Sequence, residues 1–310
     1  MINMNMPDFL DGRLIYGATI DLVRDHPEAF YDDTKIASIF GCFPGCIWNG
    51  GSVNFYPYWF KREIELLIRW YNEVLNIPLR FTFTNPLVQE KHLNDTYSNL
   101  IAELGHNGKN EILTSSRILE NYLREKYPNY KYCSSIVGTD TEPYATDPHY
   151  GLVVMRRKMN NDWEYLDSVP MEHRHKIEFL CNDPCPDNCT RIYSHYRDLG
   201  RAQIEMDPAS GKTECSMLAK RGTFQRYNMH SLKAYISRDM ILNDYLPKGY
   251  NQFKTSGRGN PWRMVHNICE YMVKPEYHED IIDIILAPHL KRLDDEEMPE
   301  MPPSFYRGCK

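Results

Sequence analysis

With 310 residues, 42 % of them hydrophobic and 25 % charged, the chain carries enough apolar material for one large α/β domain or two smaller ones, and too much for a disordered polymer. A formal net charge of −6 gives the chain as a whole no attraction to nucleic acid, which leaves only a local basic groove for such a substrate. No apolar run approaches the roughly 18 residues that span a bilayer. Met1 to Pro7 hold no basic region followed by an apolar core, so nine cysteines read as reduced thiols and the expected location is cytoplasmic.

Residues 1–29 read as an N-terminal extension. Ile36 to Phe43 then forms a first strand, ending in Pro44-Gly45 with Asn49-Gly50-Gly51 in the loop beyond. Tyr58 to Val74 carries Trp59, Ile64, Leu66, Leu67, Trp70 and Val74, an apolar stripe at helical spacing. Leu79 to Thr84 is a second strand closed by Asn85-Pro86, and His92 to Leu104 a second helix. Glu111 to Thr114 and Tyr132 to Val137 are the third and fourth strands, on either side of a helix from Ser116 to Lys126. Tyr150 to Met155 and Lys176 to Leu180 supply the fifth and sixth, with a short helix around Asp162 to Asp167. Tyr193 to Cys215 reads as an inserted loop or a short helical excursion. Arg226 to Met229 supplies a seventh strand, Ser237 to Leu242 a helix, and Tyr250 to Lys254 the eighth strand. Pro261 to Met272, capped by Asn260, and Tyr277 to Leu286 are closing helices, and the proline- and acid-rich tail from Pro288 is expected to lie extended.

Near-continuous apolar strands joined by helices are the pattern of a parallel sheet covered on both faces. Eight such units in roughly 290 residues predict a single-domain α/β protein, a (β/α)8 TIM-type barrel over 30–287 with a tail over 288–310. No G-x-G-x-x-G follows the first strand, which argues against a dinucleotide fold.

After the expected sixth strand comes Cys181-Asn-Asp-Pro-Cys185-Pro-Asp-Asn-Cys189, followed by His195 and Cys215. Thiolates bind soft and borderline metals, so this loop points to zinc or an iron–sulfur cluster. The C-x3-C-x3-C spacing is not the paired C-x2-C of a zinc ribbon. Cys185 and Cys189 form the core pair and Cys215 completes a trio. Cys181 alternates with the strand and has a competing place in the barrel wall as a small hydrophobe, with His195 the competing fourth ligand. Free thiols in a loop are the plain alternative. Cys42 and Cys46 flank the turn after the first strand, Cys133 and Cys269 read as core, and Cys309 lies in the tail. Neither G-x-S-x-G nor H-E-x-x-H occurs, so neither a serine hydrolase nor a zincin is supported.

Catalytic groups of such barrels sit at the C-terminal ends of strands. Lys254, Arg258 and Asn49 are the catalytic candidates there, and Asn85, Ser115, Ser135 and Asn182 the substrate contacts; Ser, Thr and Asn also fill turns and caps by default. Strand alternation puts Lys254 and Ser256 on one face, with Arg258 just beyond. Two cations at one mouth suit an anionic ligand, a carboxylate or a phosphate, which Arg258 binds in bidentate fashion. The competing role for Arg258 is a brace paired with an acidic residue of a neighbouring helix.

The run Gly249-Tyr-Asn-Gln-Phe253-Lys254-Thr-Ser-Gly257-Arg258, continuing through Pro261 to Tyr271 and Lys274, resembles the F-K-I-E-G-R signature of the collagenase-like peptidase family U32, with Ser256 in place of the signature's glutamate. The resemblance implies a barrel and, in several members, a 4Fe–4S cluster on four cysteines. The last of those lies in a D-L-C stretch that is Ser231-Leu232-Lys233 here. It implies oxygen-independent hydroxylation of a nucleobase or small aromatic substrate, with prephenate as oxygen donor in some members. A small anionic ligand, or a nucleotide or RNA, is the implied partner, in a homo- or hetero-oligomer. Two further readings are a peptidase or metal-assisted hydrolase using zinc on Cys185, Cys189 and Cys215, and a non-catalytic barrel stapled by structural zinc.

Overall fold

Ile2, Met4 and Met6 alternate with Asn3 and Asn5, and this period of two makes Ile2–Pro7 a strand with one apolar face. The computed structural model describes residues 1–137, 147–185, 189–211, 230 and 232–295, with side chains as far as residue 287. In it this segment is β1, followed by β2 (Thr34–Gly41), β3 (Leu79–Phe83), β4 (Glu111–Thr114), β5 (Lys131–Ser134), β6 (Leu152–Val154), β7 (Ile177–Leu180) and β8 (Gln252–Lys254). All neighbours pair in parallel, and β8 returns to β1 through Met4↔Phe253 and Asn5↔Lys254, so the sheet closes in chain order. The chain is a (β/α)8 TIM-type barrel, as expected.

Its helices are α1 (Arg13–Asp25), α2 (Lys61–Arg69), α3 (Thr96–Gly105), α4 (Arg117–Lys126), α5 (Trp163–Ser168), α6 (Met171–Arg174), α7 (Ile192–Glu205), α8 (Arg238–Met240, continued by a π turn to Tyr245), α9 (Pro261–Met272) and α10 (His278–Asp295). Caps set several of their starts. The Asp95, Ser116 and Asn260 side chains accept from the backbone N–H groups of Ser98, Leu119 and Arg263, and Pro261 occupies the first turn of α9.

Each strand divides its side chains between two environments. Met4, Ile39, Phe81, Ile112, Tyr132, Val153, Phe179 and Phe253 belong to the large apolar core shared with the helices. Phe179 alone meets Tyr245, Tyr250 and Phe253 at 4.9, 5.3 and 6.0 Å. The lumen is polar instead. Arg80 donates to Glu111 at 2.6 Å, to Glu178 at 2.5 Å and to Asn5 at 3.1 Å, while Ser38 donates to Asn5 at 2.6 Å. Leu113, Cys133 and Val154 make a small apolar patch there. A lumen of this fold is ordinarily filled by branched aliphatics, so the buried charges are a departure that gives the barrel a polar floor.

Three expectations are corrected by the structure. The segment 1–29 is no extension, because β1 and α1 belong to the barrel. The cysteine loop therefore follows the seventh strand, not the sixth. Arg226 to Met229, expected as a seventh strand, lies outside the described residues; β7 and β8 pair directly through Glu178↔Gln252 and Leu180↔Lys254. The helix α10 runs through Pro288 to Asp295 where an extended tail was expected. No helix among the described residues is long and apolar enough to cross a membrane.

Candidate active site at the C-terminal mouth

The loops after β2, β3, β5, β7 and β8 converge above the polar floor, and α7 lies across them. Gln203 of α7 fixes that crossing: its Nε2 donates to the carbonyls of Cys46 (3.1 Å) and Asn54 (3.0 Å), and its Oε1 accepts from the Asn54 N–H (2.8 Å). Asn85 adds a bond to the Gly200 carbonyl at 2.9 Å. The absence of a side chain at Gly200 permits this approach, because a Cβ there would sit 2.5 Å from Asn85 Oδ1. Beneath the helix is a cavity of about 370 Å³, lined by Lys254 and Arg258 with Thr82, Ser135, Cys185, His195 and Tyr196. A second, of about 500 Å³, adjoins it through Ser52 and Arg258 and is lined by Asp8, Asp11, Cys42, Asn49 and Tyr56.

Arg258 is held by neutral acceptors. Its guanidinium donates to Thr82 Oγ1 at 3.2 Å, to the Gly50 carbonyl at 3.1 Å and to Asn49 Oδ1 at 3.5 Å. Asn49 is itself fixed by the Thr82 hydroxyl at 2.8 Å. Gly51 has φ +74° and brings the loop close, since a Cβ there would lie 2.9 Å from Arg258 Nη2. Among the described residues no carboxylate pairs with this guanidinium. Burial lowers its pKa, against the opposing influence of Asp8, Cys42 and Tyr196.

Lys254 points from the end of β8 into the same cavity and is only 7 % exposed. Its Nζ lies 3.8 Å from the centroid of the Phe40 ring, and it makes no hydrogen bond to a described residue. Burial pushes its pKa down to about 7. Glu178 works against that shift, and Arg80 and Arg258 reinforce it.

The other expected contacts divide. Ser135 lines the cavity. Asn85 is turned to the backbone of Ile47, Leu87 and Gly200, and Ser115 donates to the Thr84 carbonyl at 2.8 Å, so both tie loops together. Asn182 bonds Asn267 at 2.7 Å and the Ser256 N–H at 2.7 Å, which joins the β7 and β8 loops outside the cavity. Ser256 donates to the Asn182 carbonyl at 2.8 Å. Thr82 and Tyr196 were not foreseen. Alternation along Leu79–Phe83 would have pointed Thr82 inward, whereas the place of Tyr196 depends on α7 crossing the mouth.

Among the described residues the expected metal ligands are not brought together. Cys181 is fully buried and belongs to the outer apolar core, so it is a wall residue and no ligand. Cys185 lines the cavity, its thiol pushed up to about 12 by burial and by Asp183. Cys189 is half-buried, and Cys215 lies outside the described residues. His195 lines the cavity, with burial lowering its pKa. Among the described residues no three His, Cys, Asp or Glu side chains converge on a point that would hold a metal ion. With Cys215 outside the described residues, no chemical step is derived through a metal or cluster here. No protein-family model, curated protein or solved structure matches the chain.

Proposed function

We propose that this barrel is an enzyme acting on a small anionic molecule, a carboxylate or a phosphate ester, held in the mouth by Arg258 with Lys254 as the reacting base or amine. One observation carries the reading: a buried lysine and a half-buried arginine face a single cavity, and neither is neutralised by a contact carboxylate among the described residues. Burying uncompensated charge is costly unless a partner arrives, so such a site favours an anion over water alone. The U32-like signature supports it, because its lysine and arginine are the two cations lining the cavity. Hydroxylation and metal-assisted hydrolysis, the reactions implied by that resemblance, would each need a metal centre, and Cys215 of the expected ligand set lies outside the described residues.

Calorimetric titration with pyruvate and with phenyl phosphate tests the reading. The native protein is expected to bind at least one of them. Arg258→Lys keeps the charge but loses the planar fork, so affinity should fall at least about tenfold while the fold is retained. Absence of binding by both anions in the native protein, or unchanged affinity in the variant, would overturn it.

A further inference from the structure

We propose that Lys254 forms an imine with its substrate, which makes the ligand an anion that also carries a ketone or aldehyde carbon. The inference rests on the anion-binding reading above and goes beyond it by assigning the covalent step and the substrate's second functional group.

Three features of the geometry lead there. The Nζ of Lys254 borders a cavity large enough for a small molecule, and it makes no hydrogen bond to a described residue that would have to break before the nitrogen attacks. It lies 3.8 Å from the centroid of the Phe40 ring, with Leu113 and Leu180 also on the wall, so one side of the nitrogen is apolar. The one carboxylate that acts on it, Glu178, is bonded to Arg80 and leaves its Oε2 without a hydrogen-bond partner; it stands beyond ion-pairing distance of Nζ. A contact carboxylate would lock the lysine as an ammonium ion. A more distant one leaves the free amine accessible and still favours the cationic iminium product. Burial supports the same conclusion by holding a large fraction of the amine neutral near pH 7.

The step balances without an oxidant or reductant. The amine's lone pair adds to the carbonyl carbon, the C=O π pair passes to oxygen, and a proton moves from nitrogen to that oxygen to give a carbinolamine. Loss of its hydroxyl with the remaining nitrogen proton releases one water and leaves the imine, which water reverses. Arg258, on the same cavity wall, would hold the carboxylate or phosphate of that molecule.

Borohydride trapping decides the matter. The protein is incubated with pyruvate in one arm and dihydroxyacetone phosphate in the other, reduced, digested and mapped by mass spectrometry. The expected result is stoichiometric reductive alkylation at Lys254 in one arm, well above that of surface lysines and at least tenfold reduced in Arg258→Lys. The preferred arm distinguishes a carboxylate from a phosphate substrate. Lys254→Met should abolish trapping, and because the map of the native protein identifies the modified residue by itself, the result does not depend on that variant folding. Calorimetric binding of either probe without trapping at Lys254 would overturn the imine and leave the anion site standing. Trapping spread evenly over the lysines would overturn it equally. Absence of both binding and trapping would remove the underlying reading as well.

Discussion

Besides the apolar wall of Phe40, Leu113 and Leu180, the groups that act on Lys254 electrostatically are Glu178 from β7, Arg80 from β3, Arg258 from the loop after β8, and the Cys133 thiol from β5. Its folded pKa of about 7 lies below the free value of 10.5. Below pH 7 both folded and unfolded chains hold the proton, and the cost of burying the charge is fully present. Between about 7 and 10.5 the unfolded chain keeps a proton that the folded chain has released, so stability rises with pH across that window. Lys254→Met, similar in length and uncharged, should therefore unfold at a higher temperature than the native protein at pH 6. The gap should close by pH 10, which thermal unfolding at several pH values reads directly; a constant gap would mean that the amine is solvated. Lys254 and Arg258 were legible because alternation and strand ends depend on local spacing. Asn85, Ser115 and Asn182 misled because a polar residue at a strand end can face its own loop as readily as a ligand, and only long-range packing decides which.

At the scale of elements, α7 does the work of a lid while being pinned to the far side of the barrel. Gly200→Ala places a methyl against Asn85 and should lift the helix from the β3 loop, at a cost of about 1–3 kcal/mol. Chemical denaturation measures that loss, and weaker anion binding should accompany it because His195 and Tyr196 ride on the same helix. Nothing local to residues 192–205 announces such a crossing; the loose rhythm after Cys189 shows only that the strand–helix alternation is interrupted. The missed strand had a plainer cause. Ile2, Met4 and Met6 carry a two-residue period, but methionine and asparagine are weak strand formers. The closed barrel has the expected eight strands, with β1 standing where an extension was expected.

Across the whole molecule, the polar floor ties distant parts of the barrel together. Arg80 of β3 reaches β1, β4 and β7 through Asn5, Glu111 and Glu178, and so spans the lumen where aliphatic side chains would merely fill it. Removing only the arginine leaves two carboxylates in the interior. Arg80→Met should cost about 3–5 kcal/mol, and the triple change Arg80→Met, Glu111→Leu, Glu178→Leu should recover much of it. Equilibrium unfolding of the two variants makes the comparison, and a triple variant no more stable than the single one would show that the network holds the barrel's shape rather than its charge balance. The fold class was legible from the rhythm of apolar strands; this floor was not, because Arg80 and Glu178 stand singly in strands whose other residues are largely apolar.

All eight strands run the same way, and β1 starts at Ile2, whose N–H is bonded to the Asp33 carbonyl just before β2. The amino end therefore emerges, with Met1 62 % exposed, on the face opposite the mouth. A tether attached there would orient every molecule on a sensor surface alike, with its cavity turned toward the flowing solution, and would leave both Lys254 and Arg258 open to whatever is passed over them.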